Sequence, residues 1–171
     1  MSYPWYEFVD STTEIQQGDR IENCPIIIPP NKIGEEDIEV EIIEYNVVVL
    51  SQSCDLENDK IDIALVAPYW TFSEIEKIKP EYTSKRNKNK FREGLIPGYH
   101  LLDKCDLDKF KSDYIIVDFK NIYGVDLQFL REYVKDKKRI RLLPPYREHL
   151  SQAFARHFMR VGLPSGIPQF T

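Results

Sequence analysis

The sequence predicts an α+β domain: a small, strongly curved antiparallel sheet or barrel with a C-terminal helix packed on it. Three observations carry this expectation. Short β-branched and alternating runs crowd the first part of the chain, turn residues punctuate them, and the clearest helical pattern comes last, after Pro145.

Gln16-Gln17-Gly18-Asp19 reads as a turn and Arg20–Ile28 as a first strand, because Ile26-Ile27-Ile28 is too β-branched and too short for a helix; Pro29-Pro30-Asn31 stops it. Asp37-Ile38-Glu39-Val40-Glu41-Ile42 alternates strictly, so its acids form one row on a solvated face. Val47–Leu50 is a buried strand, and Ile61–Ala67 pairs antiparallel with it across a loop holding Asn58-Asp59. Thr71-Phe72-Ser73-Glu74 has capping-box spacing, which predicts a short helix to about Lys79, ended by Pro80. Lys85–Arg92, the only strongly basic segment, reads as a polar excursion. Tyr99–Leu102, Tyr114–Phe119 and Ile122–Val125 look like strands, and Leu127–Val134 suits a helix capped by Asp126. Arg139–Leu143 alternates briefly before Pro144-Pro145. The last helix should run from just after Pro145 to Gly162, with Leu150, Phe154, Phe158 and Val161 as its packing stripe. Glu148, Gln152, Arg156 and Arg160 form a ladder on another of its faces, and the tail from Pro164 to Thr171 should lie extended.

The 171 residues read as one domain, a barrel-like core over about 15–125 and a helical part over about 126–163, with no repeat and no linker. An apolar fraction of 42% and a charged fraction of 30% exclude a disordered chain, and a net charge of -5 argues against broad non-specific nucleic-acid binding while leaving room for a local basic patch. No apolar run is long enough to span a membrane, and Met1–Tyr6 has neither the basic start nor the apolar stretch of a secretory signal, so a cytoplasmic location is expected. Cys24, Cys54 and Cys105 are odd in number, widely spaced and free of zinc-finger spacing to His100, His149 or His157. Reduced thiols, no metal site and no cofactor are the expectation.

The polar run Ser51-Gln52-Ser53-Cys54-Asp55 follows a buried strand directly, where rigid scaffolds place sites. Cys54 is a candidate nucleophile if a histidine approaches from the last helix, but a neighbouring carboxylate disfavours the thiolate. Asp55 is a candidate base; Ser51, Gln52 and Ser53 are candidate ligand contacts. The alternative is a turn whose side chains satisfy its own backbone. Tyr146-Arg147-Glu148-His149 opens a helix, whose N-terminus favours anions; Arg147 and His149 are candidates to hold a phosphate or carboxylate there, with Tyr146 and Arg156 beside them. Against this, Arg147 and Glu148 suit a structural ion pair. Lys85, Arg86, Lys88, Lys90 and Arg92 are candidate phosphate contacts, with Tyr82 or Phe91 for base stacking.

Two segments, Leu50–Leu56 (LSQSCDL) and Pro145–Arg156 (PYREHLSQAFAR) running on to Pro164, resemble a group of bacterial proteins of similar length to which no activity is assigned. A partial likeness, over about the first seventy residues, is to the PemK/MazF-type toxin fold, whose members are mostly endoribonucleases; this resemblance implies that the curved sheet is an SH3-like barrel. Gly18-Asp19 is similar to the pair that opens that fold, Val47–Ser51 to its central strand, and Ile63–Pro68 to the strand after it. Those toxins carry an arginine-proline pair just before the central strand; Tyr45 and Asn46 stand there in this chain, so the usual cleavage apparatus does not carry over, and Arg147 or Arg156 would have to substitute.

Together these readings point to a toxin-like or phage-defence-associated domain. It would bind or cleave RNA, or bind an anionic nucleotide, in a pocket between Ser51–Asp55 and the C-terminal helix, as a metal-independent endoribonuclease-like hydrolase if it is an enzyme. A protein partner encoded nearby is expected on this reading. The alternatives are a non-enzymatic adaptor or regulator whose acidic strand and basic segment dock a partner, and thiol chemistry at Cys54.

Overall fold

The computed structural model describes residues 3–30, 40–82 and 84–159. Eight strands form one antiparallel sheet: β1 (Tyr6–Val9), β2 (Asp19–Ile28), β3 (Glu41–Val49), β4 (Ile63–Thr71), β5 (Tyr99–Leu102), β6 (Ile115–Asp118), β7 (Tyr123–Asp126) and β8 (Arg139–Leu142). Their spatial order is β1-β8-β2-β3-β4-β6-β5, with β7 also on β4. The helices are α1 (Ser53–Glu57), α2 (Phe72–Ile78), α3 (Lys85–Arg92), α4 (Leu127–Val134) and α5 (Tyr146–Phe158). The sheet is curved and stays open, with β1 and β5 at its edges, so the α+β expectation holds in its curved-sheet form and the sheet does not close into a barrel.

The Val47–Leu50 run is apolar on both faces because both faces are covered. Val47 and Val49 pack with Leu56, Leu127 and Leu130 under α1 and α4, while Val48 and Leu50 pack with Leu142 and Leu150 under α5. A third cluster, Ile75, Phe91, Tyr99 and Ile116, lies under α2 and α3. The predicted pairing of this run with the next strand is present, Val47 opposite Pro68 and Val49 opposite Val66.

β6 and β7 are two halves of one partner for β4. Val117 lies opposite Tyr69 and Tyr123 opposite Val66, so the partner strand leaves the ladder between Asp118 and Tyr123 while β4 passes through Ala67-Pro68. Asp118 holds this excursion: Oδ1 accepts from the Lys120 N–H at 2.9 Å and Oδ2 from Asn121 Nδ2 at 2.8 Å.

Two caps form as read: the Thr71–Glu74 capping box starts α2, and Asp126 Oδ1 accepts from the Phe129 N–H at 2.8 Å at the start of α4. Four features depart from the sequence expectation. β1 was not anticipated. The basic segment is a helix, capped by Ser84 and anchored by Phe91, which is buried against Tyr82 and Phe72. The polar run after β3 enters the short helix α1. Finally, α5 ends at Phe158, before Gly162; of the predicted stripe, Leu150 and Phe154 pack inward and Phe158 is 63% exposed. The acids Asp37 and Glu39, the residues Arg160 to Gly162 and the tail to Thr171 lie outside the described residues.

β8 is buried at every position, including its two arginines. Asp19, fully buried on β2, is their shared counter-ion. Arg139 Nε reaches Asp19 Oδ2 at 3.2 Å, and Arg141 Nε reaches Oδ1 at 2.5 Å. The remaining guanidinium donors go to backbone carbonyls of Thr13 and Glu14, both at 2.7 Å. The charges of the cluster thus satisfy one another and the neighbouring backbone, as buried charge requires. It ties β2, β8 and the segment before Gly18 together.

Candidate functional site

A cleft of about 490 Å³ opens between β5 and one face of α5. α5 contributes His149, Gln152, Ala153, Arg156 and His157, the i, i+3, i+4, i+7, i+8 spacing of a single helical face. β5 contributes His100, and the C-terminal end of α3 contributes Phe91 and Arg92. The chain has three histidines, and all of them line this cleft.

Two backbone features shape it. Gly98 has φ +82°, and a Cβ there would come within 2.8 Å of Lys120 Cγ and Cε and 3.3 Å of His157 Cε1, so only glycine lets the turn into β5 pass beneath them. Its carbonyl accepts from the Phe119 N–H at 2.8 Å, which fixes the β6–β7 excursion against the turn. Phe119 then stands between histidines: its ring is 6.3 Å from that of His100 at an interplanar angle of 15°, and 6.2 Å from that of His157. Phe154 of α5 packs on the same ring at 5.7 Å.

The charge in the cleft is mainly positive. His149 and Arg156 are exposed, His157 is half-buried, and among the described residues Glu93 is the only carboxylate in the lining. Burial pushes the His100 imidazole down to about 4, and the nearby His149 and Arg156 push it the same way. His100 is therefore neutral at physiological pH, and its Nε2 is buried without a hydrogen-bond partner.

The sequence candidates divide between this cleft and the rest of the molecule. His149, Arg156 and Arg92 line it. Ser51, Gln52, Ser53, Cys54 and Asp55 do not; the side chains of Ser51, Ser53, Cys54 and Asp55 are committed around the turn, and the Gln52 carbonyl accepts from the Asp55 N–H at 3.1 Å. Ser51 Oγ accepts from the Leu65 N–H at 2.8 Å, and Ser53 Oγ from the Gln17 N–H at 3.1 Å. The Cys54 thiol donates to Asp55 Oδ1 at 3.6 Å, and Asp55 lies 4.0 Å from Lys60. This is the geometry of a self-satisfied turn. Tyr146 stacks on Trp5 with ring centroids 3.6 Å apart, and Arg147 pairs with Glu148 at 3.3 Å, the structural ion pair weighed for that segment. Lys85, Arg86, Lys88 and Lys90 lie on α3, which ends at the cleft. Lys88 is paired with Glu76, whereas among the described residues no carboxylate pairs with Lys85, Arg86 or Lys90. His100 was not among the sequence candidates, and His157 entered only, with His149, as a base that could approach Cys54 from the last helix; the spacing of these two on α5 hinted at a shared face.

Among the described residues, no group of three or more His, Cys, Asp or Glu is arranged to hold a metal ion, and no helix is long and apolar enough to cross a membrane. The chain matches no protein-family model, and a search of curated proteins finds no similar sequence.

Proposed function

We propose that this chain is a toxin-like or phage-defence-associated domain that binds the phosphate backbone of single-stranded RNA in the cleft between β5 and α5. The observation that supports the reading is the convergence of His100, His149, His157 and Arg156 on one cleft that the basic helix α3 runs into. Arginine matches phosphate geometry, and imidazoles add donors and charge as an anion arrives. A ligand longer than one nucleotide suits the site, because the cations of α3 carry the positive surface beyond the cleft.

The same groups support metal-independent cleavage. A neutral imidazole takes the proton of the ribose 2′-hydroxyl as its oxygen attacks phosphorus, and a protonated one returns a proton to the departing 5′-oxygen. On this reading His149 and His157, two turns apart on the cleft face of α5, take these roles, and the neutral His100 forms part of the wall.

Fluorescence anisotropy with a labelled single-stranded RNA tests the binding half. Arg156→Ala should weaken affinity by about tenfold, in line with loss of one charged phosphate contact. Cys54→Ala and Arg147→Ala should leave it unchanged. No binding of any RNA at low salt overturns the proposal. A denaturing gel of the same mixtures tests cleavage: a product lost in both His149→Ala and His157→Ala supports it, and intact RNA restricts the domain to binding.

A further inference from the structure

A second surface, which shares no lining residue with the cleft, has the opposite character. The Val40–Ile42 segment has the alternation of a strand with one apolar face, yet that face is uncovered: Val40 is 53% exposed and Ile42 62%. Ile27 stands directly opposite Ile42 in the ladder and is 65% exposed. Beyond them the surface sinks into an apolar groove of about 460 Å³, floored by Ile26 and Val125 and walled by Ile27, Ile42 and Phe129. Gly124 keeps the floor low, since a Cβ there would meet Ile63 Cγ2 at 2.7 Å, and Ile63 is itself 49% exposed. Isolated exposed apolar residues are ordinary, but a contiguous patch around a groove marks an interaction surface.

The charges at this groove decide what fits it. Asp126 lines it. Glu44 lies opposite Pro25, two residues from Ile42, and so shares the exposed face. Among the described residues neither carboxylate has a cationic partner, and no lysine or arginine lines the groove. A second copy docked face to face would set these acids against their own equivalents, which opposes self-association. We infer that the groove between the β2–β3 arm and the start of α4 docks an amphipathic, basic peptide segment of a partner protein, its apolar side chains between Ile27, Ile42 and Phe129 and its cations over Glu44 and Asp126. This is independent of the RNA proposal, since none of these residues lines the histidine cleft.

The test uses the full chain and two labelled synthetic peptides of one length, one alternating leucine with lysine and one alternating leucine with glutamate. The lysine peptide should bind, its affinity falling at least tenfold in Ile42→Asp and severalfold in Glu44→Lys, and falling as salt rises; the glutamate peptide should not bind. Ile42 and Glu44 are exposed, so both variants should keep the wild-type circular dichroism spectrum, and Ile27→Asp serves if Ile42→Asp does not. Binding that ignores these substitutions, or equal binding of both peptides, overturns the inference. So does a dimer in analytical ultracentrifugation that Ile42→Asp dissociates, because the face would then belong to a second copy.

Discussion

Arg141 holds Asp19 through two donors, Nε to Oδ1 at 2.5 Å and Nη2 to Oδ2 at 3.1 Å, between residues 122 apart in the chain. Asp19 is fully buried and also accepts from Arg139, so removing its carboxylate strands two buried guanidinium groups. Asp19→Ala should lose about 3–5 kcal/mol of stability in urea denaturation. Asp55→Ala, with only Lys60 at 4.0 Å as its cation, should lose no more than about 1 kcal/mol.

Arg20, the neighbour of Asp19, is buried with no carboxylate paired to it among the described residues. Its guanidinium lies 4.7 Å from the centroid of Tyr69 and 5.5 Å from that of Tyr6, and its hydrogen bonds to Ser112 Oγ at 3.3 Å and Tyr69 Oη at 3.4 Å offset part of its desolvation, while its Nε is without a partner there. Two cation–π contacts of about 0.5–2 kcal/mol each stand against an orphaned donor costing about 1–3 kcal/mol. The two nearly cancel. Arg20→Met should therefore change the unfolding free energy by less than about 1.5 kcal/mol, although the residue is as buried as those of the Asp19 cluster; a loss as large as that of Asp19→Ala contradicts this balance.

His100 makes stability depend on acid. Its folded pKa is depressed from 6.5 to about 4, chiefly by burial and then by His149 and Arg156. Between those two values the unfolded chain takes up a proton that the folded chain refuses. Stability is thus fully present above about pH 6.5 and is lost as pH falls toward 4, by on the order of 3 kcal/mol over the window. His100→Phe should flatten this slope relative to the parent in denaturation curves at pH 7 and pH 5. Equal slopes in the two proteins rule out the assignment.

The thiols should separate by exposure. Cys54 is exposed, while Cys24 and Cys105 are buried and burial pushes the Cys24 thiol up to about 11. A disulfide reagent at neutral pH should modify one thiol in the native protein and three after unfolding. Cys54→Ala should abolish the native reaction; two reactive thiols in the native state would show that one of the cores opens readily.

What the sequence disclosed was what nearest neighbours decide. The Thr71 capping box, the Asp126 cap and the doubly covered Val47–Leu50 strand each depend on residues within a few positions. The alternation of Arg139-Ile140-Arg141-Leu142 marked a strand but not its burial on both faces, because the counter-ion that allows both arginines inside lies 120 residues before Arg139. α3 has no apolar period beyond Phe91, and only aromatic partners from other elements make that single anchor sufficient. His100 joins His149 and His157 because β5 and α5 meet in space. No local pattern records such a meeting. The alternation at Val40–Ile42 was legible, but the solvation of its apolar side was not.

The place of β8 in the sheet has a consequence for the order of assembly. Among the described residues β1 pairs with β8 alone, and β2 meets β8 on one side and β3 on the other. A chain emerging from the ribosome therefore presents its first strand without a partner until Arg139–Leu142 has been made. Contacts that span such separations slow folding, since loop entropy is lost before they form. Synthesis halted before β8 would leave Asp19 without either arginine and β1 without a ladder, so the sheet is completed only when the last strand slides between the first two.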